Sequence, residues 1–464
     1  MRVRESLAGA RVTVMGLGLH GGGASSARFL AREGAEVTVT DLRSEGELAA
    51  SVESLGSLPI RFVLGRHEDD DFSSADIVVK NPAVRRHVRH LALARRVETD
   101  ISLFLARSSA RILAITGTKG KSSTSSAAHH ILERTIGNAF LGGNITRSPL
   151  EFLDELGAES TVVLELSSFQ LGDLTLTPAG AGALQARVAI ITSIFRDHLD
   201  YYGSMEEYVA DKRQIYAGQS PHDWTIARDD SWGRSFLAET PARAAMTADT
   251  RPGESTGAGA EADAWLEGAV GVARVDGREE TIVPGELLVP GIHMRRNLLA
   301  AGLACRLLGV GARAVREAAG SYAGIGHRLE LVREHRGVRF YNDSAATIPE
   351  ATLEAVGSFE APVHLIAGGT DKNIDFSLFT TIASRVRGLY LLAGNAAEPI
   401  QAALGGGAET VRGPYPDLEQ AVAAAATAAC AGEVVVLSPG CASFGMFQNE
   451  FDRGRMFRDI VGAL

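Results

Sequence analysis

Ala110-Arg111-Ile112-Leu113-Ala114-Ile115-Thr116 reads as an apolar strand that runs unbroken into Gly117-Thr118-Lys119-Gly120-Lys121-Ser122-Ser123 and a helix from Thr124. A strand that passes through a glycine-rich loop into a helix aims backbone N–H groups and the positive end of the helix dipole at one spot. That spot suits phosphate. Lys121 adds a point charge for a transferring γ-phosphoryl group, and a hydroxyl of Ser122 or Ser123 can ligate Mg²⁺. The longer Walker spacing would need glycine where Ile115 stands, so this is a shorter variant of the phosphate loop. A loop of this kind belongs to an α/β unit with a parallel sheet.

Working outward, a similar opening stands nearer the N-terminus. Gly16-Leu17-Gly18-Leu19-His20-Gly21 lies between the strand ARVTVMG and the helix ASSARFLAREG, and Asp41 closes the next strand, AEVTVT. Such a loop can bind a phosphate while the acid holds a sugar hydroxyl, or it can be a tight turn that binds nothing. Gly22 and Gly23 lengthen it beyond a dinucleotide fingerprint, which makes a nucleotide sugar as good a guest as NAD. The strand-like SADIVVKNP ends at Asn81-Pro82, and ETDISLFLA reads as a helix leading out of this first domain. Beyond GIGHRLE, strands are expected at VRFYND, APVHLIAGG, GLYLLAG and GEVVVLSPG, while residues 249–263 read as a Gly/Ala/Glu-rich surface loop. The expected architecture is α/β in three domains: a Rossmann-like N-terminal domain over residues 1–101, a central P-loop ATPase-type domain over 102–324, and a C-terminal Rossmann-like α/β domain over 325–464. The two glycine loops imply two parallel sheets.

Bulk composition fits this division. A chain of 464 residues is too long for one ordinary core, and 45% hydrophobic with 22% charged residues is a globular balance. The net charge of -10, without a Lys/Arg run, argues against nucleic acid or anionic lipid as partners. Cys305, Cys430 and Cys441 match neither a metal site nor a disulfide framework, as expected of a reducing cytoplasm. The N-terminal stretch has no apolar signal core, and no segment approaches the roughly 20 apolar residues of a membrane span. A soluble cytoplasmic monomer is expected.

Other chemistry-bearing residues are less telling one at a time. Glu165 ends the apolar strand of VVLEL, where a buried acid is costly unless it is paired or holds a cation. Asp197-His198-Leu199-Asp200 follows the strand ARVAIITSI, and Lys212 lies on the helix MEEYVADKRQIY. Taken singly, His198 passes for a capping or core histidine and Lys212 for one solvated charge among several.

Their order says more. GTKGKSS, GGNI at 142–145, ELSSFQL, RDHLD, ADKRQIY, PGIHMRRN, GIGHRLE, YNDSAAT and SPGCASFGMFQNEFDRG follow one another in a way that resembles the Mur ligases over nearly the whole chain. ELSSFQL and the first domain resemble the MurD branch in particular. The resemblance implies an ATP-dependent amide-bond-forming ligase of cytoplasmic peptidoglycan precursor synthesis, and so of cell-wall biogenesis, cell shape and division. It would add D-glutamate to UDP-N-acetylmuramoyl-L-alanine through an acyl phosphate, releasing ADP and phosphate, with L-glutamate as the alternative amino acid. The first domain would hold the UDP end of the substrate and the second ATP, with the third closing over ATP and binding glutamate.

Carried onto this chain, the resemblance places Gly117, Thr118, Lys119, Gly120, Lys121, Ser122 and Ser123 on the ATP phosphates, with Asn297, Arg328 and Asp343 as further nucleotide contacts. It gives two Mg²⁺ ions: one at Ser122 or Ser123 with Glu165, the other at His198 and a carbamylated Lys212. Leu17, His20, Asp41, Arg43 and Asn81 would surround the uridine diphosphate. Asn144 and Ser167 would lie near the substrate, and Thr347, Lys372 and Ser443 would hold glutamate. Three positions depart from the family pattern. Met294 follows His293 where asparagine is usual, Ala345 replaces a lysine, and Glu450 stands where an aromatic is common, so Phe451 or Phe444 is expected to supply the apolar wall. The competing classes are an NAD-dependent oxidoreductase built on GLGLHG, which leaves GTKGKSS and ELSSFQL unexplained, and a P-loop binding module without ligase activity.

Overall fold

The computed structural model describes residues 6–19, 21–145, 147–198, 201–252, 263–371, 374–405 and 410–464. Among these residues the strands form three sheets, each flanked by helices. The first contains β1 (Arg11–Met15), β2 (Glu36–Asp41), β3 (Ile60–Leu64), β4 (Ile77–Lys80) and β5 (Val97–Glu98), all parallel, in the order β3-β2-β1-β4-β5. The chain leaves β1 toward opposite edges of the sheet, and a crevice opens at the carboxyl ends of β1 and β4, where ligands bind in sheets of this kind. The first glycine loop leaves β1 at this crevice.

The second sheet contains β6 (Arg111–Thr116), β7 (Ala139–Gly143), β8 (Thr161–Glu165), β9 (Val188–Ile191), β10 (Trp224–Arg228), β11 (Arg243–Ala248), β12 (Ala264–Glu267), β13 (Val270–Val275) and β14 (Arg278–Val283). Its order is β14-β13-β12-β11-β10-β9-β6-β8-β7. From β7 to β12 the strands are parallel, but β13 and β14 add an antiparallel edge, so this sheet is mixed where the glycine loops suggested a wholly parallel one. Two-residue turns are the reason. Asp276 and Gly277, with φ of 51° and 73°, join β13 to β14 in the backbone that such hairpins require. The same device, Arg336 and Gly337 at 51° and 77°, joins β15 (Glu330–His335) to β16 (Val338–Asn342). These two with β17 (Val363–Ala367), β18 (Gly388–Leu392), β19 (Val411–Tyr415) and β20 (Val434–Leu437) make the third sheet, ordered β15-β16-β20-β17-β18-β19 and parallel except at β15.

β8 and β20 are buried along their whole length, as expected of strands covered on both faces. The chain divides into two compact units, one of residues 1–285 with 296–319, the other of 286–295 with 320–464. Within the first unit one apolar core, with residues from Leu7 to Phe236, joins the first sheet to the second. The helix Asp100–Arg107, capped by Thr99, enters that core through Phe104, whose ring meets Phe152 edge-on; Phe152 in turn stacks on Phe140 at 5.3 Å. The expected surface loop at 249–263 falls mostly outside the described residues. None of the described helices is long and apolar enough to cross a membrane.

Phe152 has no exposed surface, so Phe152→Ala should cost about 3–5 kcal/mol by loss of transfer energy and creation of a cavity. A urea titration shows this as a lower midpoint with the slope unchanged; a midpoint like the wild type's would mean that the ring is not part of the shared core.

Candidate active site

The phosphate loop is shaped by two glycines. Gly117 has φ 145° and Gly120 φ 86°, both costly for a residue with a Cβ. The Thr192 hydroxyl fills the space a Gly117 side chain would need, and a Gly120 side chain would come within 2.8 Å of Asn297 Oδ1. The exit of β9 holds the loop down: Thr118 N donates to Ser193 O at 2.6 Å, and Thr192 Oγ1 donates to Lys119 O at 2.6 Å. The following helix is Lys121–Ile136, which begins three residues before the expected Thr124. Lys121, Ser122 and Ser123 therefore occupy its first turn, each half-buried, where the helix dipole favours an anion. Lys121 Nζ donates to Thr118 O at 3.1 Å. The structure thus brings Gly117, Thr118, Lys119, Gly120, Lys121, Ser122, Ser123 and Asn297 together.

Glu165, at the end of β8, is 1% exposed. Its carboxylate meets neutral donors: Ser125 Oγ at 3.3 Å and Asn144 Nδ2 at 3.2 Å. A buried carboxylate so placed beside a phosphate loop retains oxygen lone pairs for a cation, which is how Mg²⁺ is held with phosphate and water oxygens. Ser167 caps the helix Ser168–Asp173 through a reciprocal box with Gln170.

Lys212 is not the solvated charge that the polar helix suggested. It is 1% exposed on the helix Met205–Arg213, and its Nζ donates to Gly117 O at 2.8 Å. Burial, with the nearby Lys121 charge, pulls its amine down to about 7. Its Nζ lies 4.6 Å from the centre of the Tyr208 ring, whose other contacts include the His198 ring at 6.2 Å and, through the hydroxyl, Thr118 Oγ1 at 2.9 Å. Tyr208 thus links His198, Lys212 and the phosphate loop. Nothing in the motif reading singled it out, although its place four residues before Lys212 puts it on the same helix face. His198 has φ 53° and packs edge-on against Phe169 at 5.0 Å, its side chain half exposed. Among the described residues no group of three or more His, Cys, Asp or Glu is arranged for a metal. Any ion here would draw on isolated side chains together with phosphate oxygens.

At the first glycine loop, Asn81 packs where a Gly16 side chain would stand, 3.0 Å away, and a Gly23 side chain would strike the Gly16 and Leu17 backbone. Asp41 accepts from Gly18 N at 3.1 Å and from Arg43 N at 2.9 Å, so the acid first of all holds the loop. Leu17 is fully buried in the core, leaving only its backbone to the loop. His20 lies outside the described residues.

In the second unit, Asp343 accepts from Ser438 Oγ at 2.7 Å and from Leu329 N at 3.2 Å, and burial pushes its carboxyl up to about 7. Arg328 is exposed, between His327 and Leu329 in left-handed backbone at φ 66° and 44°. Thr347 is half-buried. Ser443 is 2% exposed and its hydroxyl has no partner among the described residues. Phe444 and Phe451 are exposed, Phe451 against the His327 ring at 5.5 Å. Arg453 was read only as part of a motif, yet it is wholly buried and gives its guanidinium to Ser344 Oγ and O and to the Cys441 and Ala442 carbonyls. It fixes the strand of chain that presents Ser443. Lys372 lies outside the described residues.

Three family models match along the chain: a Mur ligase MurD-like N-terminal domain at residues 10–103, a Mur ligase middle domain at 115–305, and a Mur ligase glutamate ligase domain at 327–441. The chain is 43% identical to the UDP-N-acetylmuramoylalanine–D-glutamate ligase of Roseiflexus sp. strain RS-1, over 98% of this chain and 99% of the other. It is 38% identical to the ligase of the same name from Treponema pallidum, over 99% of each chain. Among solved structures, the fold is similar to that of the UDP-N-acetylmuramate–alanine ligase MurC of Thermotoga maritima (TM-score 0.60, 20% identity, 98% of this chain and 99% of the other). It is also similar to that of the MurF ligase of Thermotoga maritima in complex with ADP (TM-score 0.54, 16% identity, 92% and 95%).

Gly117→Ala should leave the protein folded and remove its binding of a nucleoside triphosphate, because a methyl group meets the Thr192 hydroxyl in a backbone region that alanine avoids. Calorimetric titration with ATP checks this, and wild-type affinity in the variant would mean that the loop can re-form around the methyl.

Proposed function

The chain belongs to the Mur ligase family, and from that premise we propose that it is the ATP-dependent ligase joining D-glutamate to UDP-N-acetylmuramoyl-L-alanine in cytoplasmic peptidoglycan precursor synthesis. The observation that carries the proposal is the convergence of Lys121 and a buried Lys212 on one glycine loop, with Glu165 against the helix that follows it, in a chain similar over its whole length to ligases of that name. In the reaction, an oxygen of the alanine carboxylate attacks the γ-phosphorus of ATP, giving an acyl phosphate and ADP. The glutamate amine then attacks the acyl carbon, the amine loses a proton, and phosphate leaves. Neither step requires a protein nucleophile. The chain's part is to position and to neutralise: the N–H groups of residues 117–123 and Lys121 hold phosphate charge as it moves from γ-phosphoryl to acyl phosphate.

Residues 1–101 would bind the uridine diphosphate through the loop closed by Asn81, Asp41 and Arg43. Residues 102–324 would bind ATP, and 325–464 would close over it, with Arg328 and Asp343 on the nucleotide and Thr347, Lys372 and Ser443 on glutamate. One Mg²⁺ would be held by Ser122 or Ser123 with Glu165, near Asn144 and Ser167, and a second by His198 and carbamylated Lys212; bound there, the ions would offset phosphate charge. Lys212 fits that modification. Carbamylation takes the neutral amine, which an ordinary lysine offers rarely at neutral pH and this one readily, and the product keeps one N–H for Gly117 O.

Phosphate release with ATP and UDP-N-acetylmuramoyl-L-alanine, over a panel of amino acids that includes both enantiomers of glutamate, tests the reading. D-glutamate should give the highest kcat/KM; preference for L-glutamate would overturn the stereochemical assignment, and release independent of the muramoyl substrate would overturn the ligase.

Lys212→Ala should be inactive and partly rescued by a small added carboxylate. In wild type stripped of CO₂, recovery with bicarbonate should rise through about pH 7, because the neutral amine forms above its depressed pKa, rather than only near pH 10. An active alanine variant, or no bicarbonate response at any pH, would remove carbamylation from the account.

A further inference from the structure

On the ligase reading above, we infer that Arg86 is a positioning residue that keys the turn closing the first glycine loop to the two helices carrying Ser167 and Lys212. Starting from the turn, Lys80 ends β4 with its Nζ 3.3 Å from Asn81 O, and the Asn81 side chain fills the space beside Gly16 and Gly18. Five residues beyond Asn81, the Arg86 backbone N–H donates to the Tyr201 hydroxyl at 3.4 Å, and its guanidinium forks onto both oxygens of Asp211, one contact at 3.1 Å. Asp211 directly precedes Lys212, and it also accepts from Tyr202 OH at 2.8 Å. The third nitrogen of the fork, Arg86 Nε, stands 3.9 Å from Asp173 Oδ1. Asp173 ends the helix that Ser167 caps, and Lys80 Nζ holds its other oxygen at 2.5 Å. The two helices lie so close that any side chain on Gly172 would strike the Asp211 carboxylate.

Two features separate Arg86 from a plain weld. The Lys80–Asp173 pair has no exposed side-chain surface and already joins the first sheet's domain to the second's. An ionic cluster is also a poor way to add strength, since desolvation offsets most of its attraction and an apolar contact would hold as well. What a forked guanidinium adds is direction, because its donors lie in one plane and accept one arrangement of the two carboxylates. Arg86 Nε and Asp173 Oδ1 are moreover both buried without a hydrogen-bond partner, although they face each other. The contact stops less than 1 Å short of a hydrogen bond. An inward shift of the Asn81 turn of less than 1 Å would close it and set Asp211, and with it Lys212, in final register.

Arg86→Gln and Arg86→Lys test this in the full-length protein, with Arg313→Gln as a control that removes an exposed ion pair on another helix. Steady-state turnover of UDP-N-acetylmuramoyl-L-alanine, ATP and D-glutamate is measured beside a thermal melt. Because displacement of a reacting group by about 1 Å costs up to roughly a hundredfold in rate, Arg86→Gln should lower kcat by about tenfold or more. It should also raise KM for the muramoyl substrate, leave KM for ATP within about twofold, and need more bicarbonate for half-maximal rate. Arg86→Lys, which keeps the charge but not the fork, should stay well below the wild-type kcat, and the control should match wild type. Unchanged kcat in folded Arg86→Gln overturns the inference. So does full recovery of kcat in Arg86→Lys, which would assign the effect to charge alone, or a loss that follows the folded fraction alone. Wild-type protein without turnover in the same assay would instead overturn the ligase reading itself.

Discussion

Lys212 gives its amine to the Gly117 carbonyl at 2.8 Å with almost no contact to solvent, and a buried ammonium in that position is expensive to keep. Much of the first unit's architecture follows from placing this group. The Gly117 carbonyl faces it from a backbone that residues with a Cβ rarely adopt, and the Thr192 hydroxyl occupies the vacant side-chain space. Tyr208, on the same helix face, covers the amine with its ring and braces Thr118 with its hydroxyl. Asp211, the preceding residue, is held by Arg86 and Tyr202. A lysine that had only to balance charge would need none of this.

The parts of this arrangement that the sequence made legible are those whose chemistry is local. The strand, glycine loop and helix at 110–124 announced a phosphate site because backbone geometry there depends on adjacent residues. Even so, the helix begins at Lys121, since a loop ending in left-handed Gly120 can start a helix on the next residue. The hairpins at Asp276-Gly277 and Arg336-Gly337 were also local, and the first carries a strong turn signal; the parallel pattern drawn from the glycine loops obscured it. The burial of Lys212 was not legible in that way. Its segment, MEEYVADKRQIY, mixes charged residues with the buried Tyr208, Val209, Ile215 and Tyr216, and the carbonyl that takes the Lys212 amine comes from the phosphate loop 95 residues earlier. Arg86 with Asp211 and Lys80 with Asp173, separated by 125 and 93 residues, are legible only in three dimensions.

Asp41 shows that a motif residue can carry a structural task its pattern does not announce. An acid at the end of the second strand suggests a sugar-binding carboxylate. Here one oxygen takes Gly18 N–H and the other Arg43 N–H, so the same carboxylate builds the loop and its far wall. Each oxygen retains a lone pair, and the two roles are compatible. Arg453 is the mirror case. Its burial pulls the guanidinium down to about 10, and its partners are a hydroxyl and three carbonyls, which makes it a brace for the chain around Ser344 and Ser443.

The three departures from the family pattern each have a local physical setting. Met294 is 4% exposed, and an asparagine in that place would have to find partners for its amide or lose the cost of burying it, whereas a thioether does not. Ala345 donates its N–H to the His327 carbonyl at 3.0 Å, and although the turn lacks a lysine, the field of Arg328 reaches Asp343 beside it. Glu450 is the residue whose charge most threatens a glutamate site. It is, however, the first residue of the helix Glu450–Ala463, behind the Asn449 cap, where the dipole favours an anion. Its carbonyl takes the Ser344 hydroxyl at 2.7 Å, and its charge favours the buried Arg453 cation. Helix start and buried guanidinium together give the acid a reason to be there that makes no reference to the amino-acid substrate. Phe444 and Phe451 are both about half exposed, and Ile348 and Met456 also carry exposed apolar surface.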